Sequence, residues 1–294
     1  NVVVTGGTRG LGFEQTKRML QCGADHVTIT GRTVADGKNA VKKLDKVFGP
    51  GRVTYVQADA STVDGNRKVF DPESRRRLNL PKIVNHASLN AGIYGKALYE
   101  ERGVDVLDKE SFDNVMKTNC TGVFLGMQAF AKGHERICTT DPKECDRNPS
   151  IVAIKSIYGS GASAVSNAGY QASKFCVDGL VKQASVEFAR PQVNNVKHLP
   201  HPIRVNSVSP GFSHTSMTDA FHSGKNGEII SKSQAHGSWV NPKDVAQQVV
   251  NLFVASGVSG TDVFVDGGTH AQSIPLYDDA MEVSTSKGCC GARE

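Results

Sequence analysis

No apolar run in the 294-residue chain approaches the roughly eighteen residues that a bilayer-crossing helix needs, so no membrane span is expected. Basic residues are not gathered into a block either. The net charge of +5 arises from 34 Lys and Arg against 29 Asp and Glu spread along the chain, and no basic stripe marks a nucleic-acid partner. No Cys-x-x-Cys pair occurs. The seven cysteines, Cys22, Cys120, Cys138, Cys145, Cys176, Cys289 and Cys290, are scattered in a way that fits neither a disulfide framework nor a paired metal site. Reduced, mostly structural thiols are expected, and no metal is, because Cys138 and Cys145 lack a second ligand pair nearby. The chain opens on Asn1 rather than Met, so the lack of a targeting signal says nothing of its compartment.

What is present is a regular alternation of strand and helix signals with no break in composition. Residues 2–5 form a β-branched run that flows into TGGTRGLG (5–12), and a helical pattern follows over 13–20. Further strands are expected at 27–30, 53–58, 83–89, 151–154, 203–208 and 263–266. Helices are expected at 34–48, 61–78, 109–131, 166–189 and from Pro242 onward. The alternation predicts an α/β fold, a single doubly wound parallel sheet of Rossmann type. Its domain is expected over 1–270, with an inserted surface loop at 132–149, a mobile polar segment at 212–238 and an extension at 271–294.

Ligands in such sheets lie at the carboxyl ends of the strands. Thr5, Arg32, Asp59, Asn90, Ser156 and Pro210 all follow expected strand ends, so one crevice can hold them all. A strand feeding a glycine-rich turn into a helix start lets backbone N–H groups approach a pyrophosphate. At the end of the second strand, the acidic residue that usually grips a ribose 2′-hydroxyl is missing. Gly31 and Arg32 stand there, and with Arg9 they suit a 2′-phosphate. His86, inside a strand, reads as a packed histidine.

Ser156, Tyr170 and Lys174 form the constellation around which these features gather. Four residues on a helix bring Lys174 beside the Tyr170 phenol. An adjacent cation favours a phenolate, so Lys174 is expected to pull the phenol below its ordinary value of about 10.

The order TGGTRGLG, Asp59, Asn90-Ala91-Gly92, Asn119, Ser156, YQASK at Tyr170 and SPGFSHT at Ser209 resembles the compact, single-domain branch of the short-chain dehydrogenase/reductase family over nearly the whole chain. That resemblance implies a hydride-transferring oxidoreductase interconverting a carbonyl and a secondary alcohol, and the Gly31, Arg32 and Arg9 pattern points to NADP, with NADPH preferred over NADH. The resemblance implies Tyr170 as general acid and base, Lys174 tuning it and holding the nicotinamide ribose, Ser156 on the substrate oxygen, and Asn119 keeping a water in the proton path. Gly6, Thr8, Arg9, Gly10, Leu11 and Gly12 would carry the phosphates, and Arg32 with Thr33 the adenosine phosphate. Asp59 and Ala60 would meet the adenine, and Asn90, Ala91 and Gly92 would support the ribose region. Pro210, Gly211, Phe212 and Thr215 would hold the nicotinamide end. Tyr158, the stretch after Thr215 and Trp239 would shape the substrate pocket. A homodimer or homotetramer would bury Val123, Phe124, Met127, Leu180, Ala184 and Phe188.

The chain departs from the family pattern in four places. Leu89 precedes Asn90, Lys155 precedes Ser156, the 132–149 loop is long, and the Ser156–Tyr170 spacing lets Ser160 or Ser163 compete for the serine role. A silent NADP-binding sensor or scaffold is the alternative reading, disfavoured by the joint presence of Asn119, Ser156, Tyr170 and Lys174. A nucleotide-sugar epimerase of the extended branch would need a different glycine spacing and a large carboxyl-terminal substrate domain.

Overall fold

The computed structural model describes residues 1–95, 103–146, 148–161, 167–189, 199, 201–219 and 224–272. In chain order these form β1 (Val2–Val4), α1 (Gly10–Gln21), β2 (Val27–Gly31), α2 (Val34–Phe48), β3 (Val53–Gln57), α3 (Val63–Phe70), α4 (Pro72–Arg77), β4 (His86–Leu89), α5 (Lys109–Met116), α6 (Gly122–Thr140), β5 (Ser150–Ile154), α7 (Ala168–Ala189), β6 (Arg204–Pro210), α8 (Gly224–Ser233), α9 (Pro242–Val254) and β7 (Asp262–Val265).

All seven strands pair in parallel, in the order β3-β2-β1-β4-β5-β6-β7. The strands are apolar on both faces because helices cover both. Along β1 the side chains alternate: Val3 enters a core with Ala87, Phe130, Ile151 and Val181, while Val2 and Val4 enter a second core with Met19, Ile29, Val249 and Phe253. The chain leaves β1 toward β2 on one side and later returns to β4 on the other. A crevice therefore opens at their carboxyl ends, where the connections diverge.

The structure differs from the sequence expectations at identifiable points. The expected helix over 61–78 is two, since the Asp71 carboxylate caps a new helix by accepting from Ser74 N and Pro72 starts it. The segment 132–149 is helical as far as Thr140, because Phe130, Ala131, His134, Ile137 and Cys138 keep one face in the core. The expected polar segment 212–238 contains α8, and residues 220–223 lie outside the described residues. So do residues 273–294, including Cys289 and Cys290.

The cysteines also differ from expectation. Cys120 pairs with Cys176 and Cys138 with Cys145 as disulfides, leaving Cys22 as the free thiol among the described residues. Helix packing brings Cys120 and Cys176 to 5.8 Å between Cα atoms across 56 residues of sequence, a proximity that no spacing pattern reveals. His134 lies beside the sulfurs of Cys138 and Cys145, but those sulfurs are bonded to each other. His86 is a packed histidine, stacked on Phe253 at 4.9 Å between ring centroids. Of the residues expected at a subunit interface, Val123, Met127 and Ala184 are buried in the core and Leu180 and Phe188 pack against it; Phe124 is exposed.

Candidate functional site

The glycine turn after β1 is held open by backbone conformation and by one asparagine. Gly6 and Gly10 have positive φ, 66° and 55°. A Cβ on Gly12 would lie 2.4 Å from the Gly6 carbonyl oxygen and 2.6 Å from Asn90 Nδ2, so only glycine lets α1 start this close to the turn. Asn90 Nδ2 donates to Thr5 O at 3.0 Å and Gly6 O at 3.2 Å, and its Oδ1 accepts from Gln15 Nε2. Asn90 thus braces the turn with its side chain. Arg9, at the N-cap of α1, gives no side-chain hydrogen bond, and the helix's first N–H groups are left to whatever occupies the crevice.

One cleft of about 600 Å³ runs from this turn across the carboxyl edge of the sheet. Gly6, Thr8, Arg9, Gly10, Leu11, Arg32, Thr33, Asp59, Ala60, Asn90, Ala91, Gly92, Ser156, Tyr170, Lys174, Pro210, Gly211 and Thr215 line it. Gly12 lies beneath the turn, and Phe212 and Asn119 stand behind the lining. Asp36, in the first turn of α2, lines the same end of the cleft as Arg32. The Asp59 carboxylate accepts from Ser61 N at 2.9 Å and Ser61 Oγ at 2.8 Å. Burial works against its charge, but these bonds and the nearby Arg32 and Lys117 hold it below the usual carboxylate range.

The far end holds the serine, tyrosine and lysine. Ser156 leaves β5 in an extended conformation and its Oγ accepts from Tyr158 N at 3.2 Å. The Ser156 hydroxyl stands near enough to the Tyr170 phenol to oppose the effect of its burial. Lys174 Nζ donates to Ile154 O at 2.8 Å and sits 5.4 Å from the centre of the Tyr170 ring. Ser160, the described rival for the serine role, accepts from Lys155 Nζ at 2.7 Å instead; Ser163 lies outside the described residues.

Asn119 stands in a π-helical turn, Lys117–Thr121, between α5 and α6. Its Oδ1 accepts from Ile93 N at 2.8 Å, and its Nδ2 donates to Ile93 O at 2.9 Å and Ser173 Oγ at 3.0 Å. The amide joins the loop after β4 to α7 directly behind Gly92 and Lys174. An aromatic cluster stands next to the Ser156 turn, outside the residues that line the cleft: Tyr158 meets Phe212 edge-on at 5.9 Å, Phe212 meets Trp239 at 5.7 Å, and His214 packs on Trp239 at 4.9 Å.

The expected depression of the phenol is not what the structure gives. Burial pushes Tyr170 up to about 12, the Ser156 hydroxyl opposes this and Tyr94 adds to it. Burial pushes Lys174 down to about 8. Desolvation dominates both groups. At neutral pH the pair is a neutral phenol beside a charged amine.

The residues fit a dinucleotide: a glycine cradle that a Cβ would fill, an uncapped helix start, and a cleft long enough to join that cradle to Tyr170.

Comparison with known proteins agrees with this geometry. The family described as Enoyl-(Acyl carrier protein) reductase matches residues 6–270. The chain is 31% identical over 285 residues to the 3-alpha-(or 20-beta)-hydroxysteroid dehydrogenase of Mycobacterium tuberculosis, covering 96% of this chain and 94% of that protein. It is 28% identical to the NADP-dependent (R)-specific alcohol dehydrogenase of Lentilactobacillus kefiri, covering 92% and 96%. The crystal structure of a short-chain type dehydrogenase/reductase from Mycobacterium marinum superposes with a TM-score of 0.75 at 24% identity, covering 91% and 94%.

Lys174 carries a cost that is measurable in stability. The interval from 10.5 to about 8 corresponds to about 3 kcal/mol at about 1.36 kcal/mol per pKa unit. Below pH 8 the amine is charged both folded and unfolded and the cost is fully present; above 10.5 it is neutral in both and the cost is gone. Lys174→Met is therefore expected to raise the Tm at pH 7 by a few degrees, with the gain shrinking toward pH 10. Thermal melts of the two proteins at both pH values check this, and a lower Tm for the variant at pH 7 would refute it.

Proposed function

The chain belongs to the short-chain dehydrogenase/reductase family and is an oxidoreductase, and from that premise we propose that it reduces the carbonyl group of a small molecule to a secondary alcohol using NADPH. The observation that carries this reading is the gathering of Ser156, Tyr170 and Lys174 at the far end of the cleft that begins on the glycine turn. Gly6, Gly10 and the first N–H groups of α1 would hold the pyrophosphate, Lys174 and Thr215 the nicotinamide end, and Arg9 with Arg32 the 2′-phosphate. The bound dinucleotide supplies hydride to the carbonyl carbon.

Ser156 and Tyr170 then present two O–H donors to the carbonyl oxygen, where negative charge develops. Tyr170 gives its proton to that oxygen. At neutral pH the Tyr170 phenol holds its proton, the form that donates in reduction. Lys174 remains charged at pH 7 and stabilises the phenolate that proton loss leaves behind. Asn119 holds the loop after β4 against α7 and so keeps Lys174 aligned.

The cluster of Tyr158, Phe212 and Trp239 supports a carbonyl compound with a sizeable apolar body, in keeping with the steroid named for the mycobacterial relative. A homodimer or homotetramer is part of the reading. Phe124 on α6 and Phe175 on α7, 46% and 47% exposed, are the apolar side chains that it would cover. Sedimentation at micromolar concentration is expected to show more than a monomer, and a monomer would remove that part.

Turnover of a panel of ketones and secondary alcohols with NADPH and NADH tests the activity. Tyr170→Phe is expected to lower kcat by about 10²–10⁴-fold while leaving NADPH binding near wild type, because it removes the transferable proton and keeps the ring. A wild-type rate in that variant rejects the mechanism, and no turnover of any carbonyl by the wild type would leave the silent binding protein as the better reading.

NADPH is expected to be preferred over NADH in kcat/KM. A charge-assisted contact from Arg32 to a phosphate contributes roughly 1.5–3 kcal/mol, or about tenfold and more, with solvent exposure favouring the lower end. Arg32→Ala should reduce the ratio. An NADH preference in the wild type would overturn the cofactor assignment, while an unchanged ratio in the variant would move its cause away from Arg32.

A further inference from the structure

Directly before Ser156 stands Lys155, whose side chain is 2% exposed. Its Nζ donates to Ser160 Oγ at 2.7 Å, Asp178 Oδ1 at 2.8 Å and Asp262 Oδ2 at 2.7 Å, using all three N–H groups. Asp178 lies on α7 one turn after Lys174, and Asp262 opens β7, where it also accepts from Ser207 Oγ and Ser209 Oγ of β6. Lys182, 2.7 Å from Asp178, completes a set of two cations and two carboxylates. The stem of Lys155 runs beneath the short turn Ile157–Gly159. A Cβ on Gly159 would lie 2.6 Å from Lys155 Cε and 2.7 Å from the Lys174 carbonyl oxygen. The turn that carries Ser156 therefore rests on the Lys155 stem and against the backbone of Lys174.

Building on the proposed function, we propose that Lys155 is a positioning residue for the reaction: through Ser160, Asp178 and Asp262 it ties the Ser156 turn to α7 and β7, and so fixes the Ser156 hydroxyl against Tyr170. A surface ion pair would serve poorly for this, since water competes for each partner. A buried cation with three anionic or hydroxyl acceptors has one arrangement, and any movement of β5 relative to α7 breaks one of its bonds. Displacements of about 1 Å in such a site cost about 10²-fold in rate, which makes the fixing consequential.

Four variants separate positioning from stability. Asp178→Asn weakens the α7 arm and keeps its shape. Lys155→Met removes the bridge and leaves a net negative charge. Lys155→Met with Asp262→Asn removes the bridge but restores charge balance, and Lys155→Arg keeps a cation. With the carbonyl compound that the wild type reduces, kcat is expected to fall about tenfold or more in both Lys155→Met proteins and several-fold in Asp178→Asn, with the Kd for NADPH within about twofold. Lys155→Arg should retain more of the rate than Lys155→Met. Backbone amide exchange over residues 156–160 should quicken about tenfold in Asp178→Asn and in the double variant, even where the double variant regains the Tm lost by Lys155→Met. Exchange needs no turnover, so it reads the tie even if the proposed reaction is wrong. Variants that match the wild type in both kcat and exchange overturn this inference alone and leave the reaction standing. Recovery of kcat and exchange together with Tm in the double variant also overturns it, since the network would then serve only stability. Should Lys155→Met fail to fold, Asp178→Asn carries the same test.

Discussion

Burying positive charge at the carboxyl edge of a parallel sheet is the constraint on which this site turns. A buried ammonium must find acceptors, and the nearest are the last groups of the adjoining strand. Three consecutive residues at the end of β5 meet that demand in three ways. The Ile154 carbonyl receives Lys174, the Lys155 side chain reaches Asp178 and Asp262, and the Ser156 hydroxyl meets Tyr170. Each of the three contacts reaches α7. The strand end and the helix are thus registered by charge and hydrogen bonding as well as by apolar packing, and both lysines are left with defined positions.

The same rule organises the rest of the sheet edge. Ser88, Gln15, Asn90 and the Gly6 carbonyl form a buried polar chain that holds the glycine turn, each group satisfied by the next. Two buried arginines do similar work at the opposite edge. Arg75, fully buried, donates to Val69 O and Pro81 O, and Arg204 donates to Leu252 O and Phe253 O at the end of α9. The Val69, Leu252 and Phe253 carbonyls stand in the last turns of their helices, where no helical N–H reaches them, and Pro81 lies in the connection after α4. The guanidinium fork answers several orphan acceptors at once.

Period and punctuation made the sheet and the cleft legible in the sequence. Apolar runs ending in glycine, asparagine or serine located the strand ends, and strand ends are where this fold gathers its ligands. Local readings failed where a distant partner decides. The end of α6 looked polar, yet its buried face runs on through Ile137 and Cys138 to pack against the core. Cys120 and Cys176 looked unrelated because only the packing of two helices joins them. Lys155 was noticeable as an oddity before Ser156, but Asp262 is 107 residues away and nothing local announces it. The depression of the Tyr170 phenol was inferred from spacing alone. Spacing gives the neighbour, whereas the balance between that neighbour and desolvation depends on depth, which a sequence does not carry.

Asp36 shows how a correct absence can be incomplete. No acid stands at the end of β2, yet a carboxylate returns to the same end of the cleft from the first turn of α2. It has a local reason to be there, since a negative charge in a helix's first turn is favoured by the exposed N–H groups and the helix dipole. Its charge is felt: Tyr55, pushed up first by burial, is pushed further by Asp36. Arg9 and Arg32 therefore share this end of the cleft with two carboxylates, Asp36 and Asp59. A 2′-phosphate would carry enough negative charge to draw on both guanidiniums, whereas a 2′-hydroxyl offers them no charge to pair with.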